Sequence, residues 1–183
     1  WLWHRDGEKW AVRKVITIPA EPASPELLPP LLKGFGAVPP LCTDLNLSLD
    51  DKYLYVSCWG TGELRQYDVS DPENPKHIGS VRLGGIVARA AHPRSGPLTG
   101  APQMVELSRD GRRVYFTSSL YAAWDEQFYP APNPVTGWMA KVDINPAGGM
   151  TLDPDFFVDF GGLRSHQVRL AGGDASSDSF CFP

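Results

Sequence analysis

The sequence is poor in the residues that most readily announce a chemistry. Its three cysteines, Cys42, Cys58 and Cys181, are an odd number without metal-finger spacing. That excludes a disulfide framework and a zinc-finger module, and fixes no redox compartment. The four histidines, His4, His77, His92 and His166, are scattered. There is no HExxH, GxSxG or P-loop, and GTGELR (60–65) lacks the third glycine of a dinucleotide site. There is no basic excess either. The net charge is −4 with Lys and Arg spread along the chain, which marks no nucleic-acid-binding face. No apolar run approaches the ~20 residues that span a bilayer. No leader is visible, and a start at Trp1 rather than Met is read as a missing N-terminus. The compartment stays open: periplasmic for a bacterial parent with a signal peptide, otherwise cytoplasmic.

What is plentiful is backbone punctuation. Glycine and proline number 18 each among 183 residues, which disfavours long helices and favours short strands joined by turns. Hydrophobic residues at 42% suffice for a core.

An internal repeat organises these strands. LSLDDKYLYVS (47–57) matches LSRDGRRVYFT (107–117) at an offset of 60. LRQYDV (64–69) resembles MAKVDI (139–144), and SVRLGG (80–85) resembles FVDFGG (157–162). Leu45, Leu47 and Leu49 alternate with polar residues, as a strand does, and Asp50-Asp51 and Asp110-Gly111 supply turns. Four strands per unit is one blade of a β-propeller. The expectation is therefore an all-β chain, a β-propeller of four-stranded blades, of which about three blades' worth is present. Residues 1–19 read as the end of a blade, a hairpin around Asp6-Gly7. Residues 43–85 and 103–162 are complete blades, and 166–183 hold the first strand of a closing blade and a tail. Residues 19–40, with seven prolines, read as a long connection on the outside. SLYAAWDEQFYPAPNPVTG reads as a proline-bearing loop.

Innermost strands of a propeller line its channel, so their first residues gather near one mouth. Alignment of the units puts Thr43, Gln103 and His166 at equivalent places, with Asp44 beside them. His166 would point to an axial site where neighbouring blades add ligands; His clusters suit Cu, Zn or Fe. By spacing alone, an ordinary strand-opening histidine that hydrogen-bonds locally is the better reading. His4, His77 and His92 read as solvated or structural in turns and loops. Cys42 and Cys58 could face the channel or serve as small buried hydrophobes. GGDASSD (172–178) reads as a capped turn before a cation site. Asn46-Leu47-Ser48 is a glycosylation pattern inside a strand and is discounted.

LSLDDKYLYVSCWGTGELRQYDVSDP, GAPQMVELSRDGRRVYFTSSLYAAWDEQFYP, HQVRL and GGDASSD resemble the selenium-binding protein / methanethiol oxidase family along essentially the whole chain. The resemblance looks like the C-terminal two fifths of a member. It implies a β-propeller and a copper-dependent thiol oxidase that turns methanethiol, O2 and water into formaldehyde, hydrogen sulfide and hydrogen peroxide. It implies copper held by histidines mostly outside this chain, one of them carried over onto His166 through SHQVRL. The partners would be a small thiol, O2 and the rest of its own propeller, with no nucleic acid and no membrane span. No catalytic base is assigned, and Thr43, Asp44 and Gln103 stand as channel-lining candidates. Some members carry Cys within GGDxSSD where this chain has Ala175, and no selenium-binding residue is assigned. The alternative is a non-catalytic propeller that binds selenium, thiols or a protein partner.

Overall fold

A computed structural model describes residues 1–167. Strands dominate it. β1 (Leu2–Asp6) and β2 (Lys9–Arg13) form a hairpin. β3 (Glu21–Pro22) and β4 (Ala37–Val38) make a two-residue ladder around a 3₁₀ turn at Pro30–Phe35. β5 (Cys42–Leu47), β6 (Tyr53–Cys58), β7 (Glu63–Asp68) and β8 (Lys76–Arg82) follow in meander order as one antiparallel sheet. β9 (Val105–Leu107), β10 (Arg113–Thr117), β11 (Gly137–Ile144) and β12 (Met150–Gly161) form a second. α1 (Ala122–Phe128) lies between β10 and β11. Among the described residues the fold is thus all-β with one short α-helix, and no helix is long and apolar enough to cross a membrane.

The two sheets are built on one register. Leu45 faces Val56, and sixty residues on Val105 faces Phe116. Val56 faces Arg65, and Phe116 faces Ala140. The hairpin turns repeat atom for atom. The Ser48 hydroxyl donates to Asp50 Oδ1 (2.7 Å) and accepts the Tyr53 N–H (2.9 Å). The Ser108 hydroxyl donates to Asp110 Oδ1 (2.6 Å) and accepts the Arg113 N–H (3.0 Å). Asp51 and Gly111 both take positive φ, +57° and +67°, as this turn demands. The Ser48 hydroxyl and the Lys52 ammonium hold the Asp50 carboxyl at about 2. Ser108→Ala removes both bonds at once, and a loss of about 1–2 kcal/mol in urea unfolding is expected, with recovery in Ser108→Thr. An unchanged midpoint would mean the turn forms without the hydroxyl.

One face of the first sheet packs on the second. Tyr55, Leu64 and Leu83 meet Val105, Leu107, Val114, Phe116 and Trp138 in the main core. The inner strands approach edge to edge. Asp44 Oδ2 accepts the Val105 N–H (2.7 Å), Asn46 Nδ2 donates to the Val105 carbonyl (2.6 Å), and Thr43 Oγ1 donates to the Gln103 carbonyl (3.0 Å). β9 lies at the edge of its sheet, so these side chains take up backbone groups that a further strand would otherwise have paired. The Asn46 amide of the glycosylation pattern is thereby engaged. Where β8 leaves its sheet the chain needs glycine: Gly84 has φ +64°, and a Cβ there would lie 1.9 Å from the Gly100 carbonyl.

Several readings are revised. The leucine alternation runs past the strand, for β5 ends at Leu47 and Leu49 sits beyond it. Residues 19–40 are no mere outer connection: Leu28, Leu32 and Val38 are buried against Trp59, Ile86 and Phe128. The proline-bearing loop holds α1, whose Phe128 joins the same cluster. These apolar residues carry no readable period, so only tertiary packing reveals them. His92 is buried rather than solvated; its Nδ1 accepts the Arg94 N–H, its Nε2 donates to the Asp153 carbonyl, and its ring stacks on Phe157. His166 and Gln167 carry no strand, and the remainder of the proposed closing strand, GGDASSD and Cys181 lie outside the described residues.

Candidate functional site

Strands β5 and β9 begin, and β6 and β10 end, at one end of the pair of sheets. The expected channel-lining residues gather there. Thr43 Oγ1 donates to the Gln103 carbonyl (3.0 Å), the Gln103 N–H donates to the Thr117 carbonyl (2.8 Å), and Thr117 Oγ1 donates to the His166 carbonyl. The three positions picked out by spacing are thus joined through one intermediary, Thr117. The preceding residue is held as firmly. Ser119 Oγ donates to the Ser165 carbonyl (3.0 Å), and Ser165 Oγ donates to the Trp138 carbonyl (2.9 Å). This fixes the backbone that carries His166 while its side chain stays exposed. Gln103 is buried, and its Oε1 has no hydrogen-bond partner among the described residues. Leu41, which leads into β5, has φ +46°, a conformation costly for a branched residue. Asp44 is turned into the inter-sheet bond with Val105, so its carboxylate acts there as a backbone acceptor.

A second layer supports this end. Trp59 is fully buried, its ring edge-on to Phe128 and Tyr129 at 5.5 Å, and its Nε1 donates to the Ser118 carbonyl (3.1 Å). Asp125 of α1 is 1% exposed and forms an ion pair with Arg164, two residues before His166. Burial raises the Asp125 carboxyl to about 6, against the pull of the Arg164 guanidinium. At neutral pH it is ionised, as the ion pair requires. Asp125 and Arg164 lie 39 residues apart, and no pattern in the sequence pairs them.

The sign of the pH effect follows from that raised value. Between about pH 4 and pH 6 the folded chain keeps a proton on Asp125 that the unfolded chain releases. This group's contribution to stability is therefore fully present below pH 4, falls as pH rises through that window, and is flat above it. Asp125→Asn is expected to flatten that slope in urea unfolding across pH 4–7; an unaltered slope would assign it to other groups.

Among the described residues no three His, Cys, Asp or Glu side chains converge on a metal position. A borderline metal held through the exposed His166 imidazole would need further ligands from beyond these residues. A groove of about 720 Å³ lies elsewhere, between the β1–β2 hairpin and the outer face of the first sheet. Leu45, Leu47, Leu54 and Ile16 give it an apolar wall, with Asp50, Asp51 and Lys52 at one side.

Residues 1–181 match the family model described as 56 kDa selenium binding protein. A methanethiol oxidase of Xenopus tropicalis is 40% identical over 202 residues, covering 95% of this chain and 40% of the relative. The human methanethiol oxidase is 40% identical over 200 residues, covering 97% of this chain and 41% of its own length. Among solved structures, a hypothetical selenium-binding protein from Sulfolobus tokodaii is 61% identical with a TM-score of 0.90, covering 99% of this chain and 39% of that one. The chain spans about two fifths of the length of these relatives.

Proposed function

The chain belongs to the 56 kDa selenium-binding protein family, and on that premise we propose that it is part of a copper-dependent methanethiol oxidase built as a β-propeller. The two four-stranded sheets are successive blades of that propeller, and β1–β2 is the outer half of another. Their common register and the side-chain bonds between inner strands β5 and β9 support this.

The reaction joins one methanethiol, one O2 and one water to give formaldehyde, hydrogen sulfide and hydrogen peroxide, an oxidoreductase step consistent with the names of the relatives. The observation that carries the reading for this chain is the hydrogen-bonded series from Thr43 through Gln103 and Thr117 to His166. It sets an exposed imidazole on a fixed backbone at the shared end of two inner strands. His166 would hold the copper, with the other ligands supplied by the rest of the protein. When bound, copper supplies electron exchange with O2 and affinity for a soft thiol, which protein side chains lack. The chain's own residues orient the site. Thr117 fixes the His166 carbonyl, Ser165 and Ser119 fix its neighbour, and the Asp125–Arg164 pair ties α1 to the same segment. Gln103 Oε1 is a buried acceptor with no partner among the described residues.

The test is O2 uptake with methanethiol by the protein at the relatives' full length. Equal yields of formaldehyde, sulfide and peroxide, lost on copper chelation and restored by copper alone, are expected. Turnover undiminished without copper, or copper bound without O2 uptake, would overturn the assignment. The latter result would favour a binding propeller.

A further inference from the structure

Cys42 and Cys58 are directly opposite each other across β5 and β6. Counting back from the Ser48–Tyr53 turn does not give this pair. Leu47 faces Leu54, Leu45 faces Val56 and Asp44 faces Ser57, so an unbroken ladder would set Cys42 against Trp59. The register shifts between Cys42 and Asp44, a bulge at Thr43 that moves Cys42 one place along and onto Cys58. Directly opposed residues of an antiparallel pair share a face, with Cα separations near 4.5–5.5 Å, inside the range a disulfide spans. The two thiols differ in setting. Cys42 is exposed, and Cys58 is fully buried with Val56 and Tyr67. Both are reduced. The row continues across the sheet through Glu63 to Arg82, and Arg65 of β7 sits one step along on the same face. Bulges gather where a strand must re-aim a side chain, and here the side chain re-aimed is a thiol.

We propose that Cys42 and Cys58 form a redox dithiol that a small hydroperoxide oxidises reversibly to a cross-strand disulfide. Cys42 is the attacking thiol. Its thiolate displaces hydroxide from the peroxide oxygen, the O–O bond breaks, and Cys42 becomes a sulfenic acid. Cys58 then attacks the Cys42 sulfur, the S–O bond breaks, and the Cys58 proton leaves with the departing hydroxide as water. Two thiols give up two electrons and two protons, and hydrogen peroxide becomes two waters. Electrostatics agree with this division of roles. The hydrogen bond from Cys58 and the Arg65 charge lower the Cys42 thiol to about 7, against partial desolvation. The same bond and burial push the Cys58 thiol up. An accessible, partly ionised thiol beside a buried resolving thiol is the arrangement of a redox cysteine. This reading does not depend on the copper site.

The full chain, treated with hydrogen peroxide and alkylated with iodoacetamide, provides the test. Trypsin cleaves at Lys33, Lys52 and Arg65, so Cys42 and Cys58 fall in separate peptides, 34–52 and 53–65. Peroxide is expected to join those two peptides with a loss of about 2 Da. The melting temperature should rise by several degrees, and a thiol reductant should reverse both changes. Before oxidation, Cys42 should alkylate at least tenfold faster than Cys58. In Cys58→Ser, Cys42 should be trapped as a sulfenic acid by dimedone; in Cys42→Ser, Cys58 should stay unmodified. Recovery of both cysteines as separately alkylated peptides after peroxide would overturn the proposal. So would a bridge to Cys181 instead, or equal alkylation rates.

Discussion

Trp59→Ala is expected to lower the unfolding free energy by about 3–5 kcal/mol, the largest loss of any single truncation outside the main core. The residue has no solvent exposure, and it sits in one cluster of buried side chains with Leu28 and Leu32 of the 19–40 segment and Phe128 of α1. Removing it forfeits the transfer energy of a full indole and leaves a cavity between Phe128, Tyr129 and Leu32 that rigid strands cannot close. The edge-on contacts to Phe128 and Tyr129 add to this. The hydrogen bond from Nε1 to Ser118 matters less, because the Ala101 N–H also serves that carbonyl at 3.1 Å. Trp59→Phe separates the two contributions. It keeps most of the ring packing and is expected to cost only about 1–2 kcal/mol. The check is urea unfolding of both variants. A Trp59→Ala loss no larger than that of Trp59→Phe would show that the hydrogen bond, rather than the packing, carries the energy. Trp59 also bears on the site. Ser118, which it touches, precedes Ser119 and follows Thr117, the two residues that fix Ser165 and His166.

The strands were legible because their signals are local. The repeated L-S-x-D turn sets both hairpins, and the offset of 60 reappears in the ladders at Leu45–Val56 and Val105–Phe116. The spacing of 60 sets Thr43 against Gln103 in the repeat, and in the structure the Thr43 hydroxyl reaches the Gln103 carbonyl. What escaped the sequence depends on contacts without a period. Leu28 and Leu32 lie in a proline-rich stretch that reads as exposed, and they are buried only because Trp59 and α1 cover them. The Asp125–Arg164 pair spans helix and loop with no pattern to join them. The Cys42–Cys58 pair was hidden by a single bulge, which shifts the register by the one residue that counting from the turn cannot supply. The side-chain bonds from Asp44 and Asn46 to Val105 likewise belong to the meeting of two sheets, and neither residue announces them.

The central claim is that His166 is this chain's copper ligand, set by the bonds that run from Thr43 to Thr117. The most direct measurement is copper content and thiol oxidase activity of the full-length protein and its His166→Ala variant, with melting temperatures measured alongside. His166 is exposed and donates no side-chain packing to the core, so the variant should melt within about 2 °C of the parent. Its bound copper should fall at least tenfold, and methanethiol oxidation should fall with it. Copper and activity undiminished in a folded His166→Ala protein would contradict the account and move the metal away from this end of the sheets.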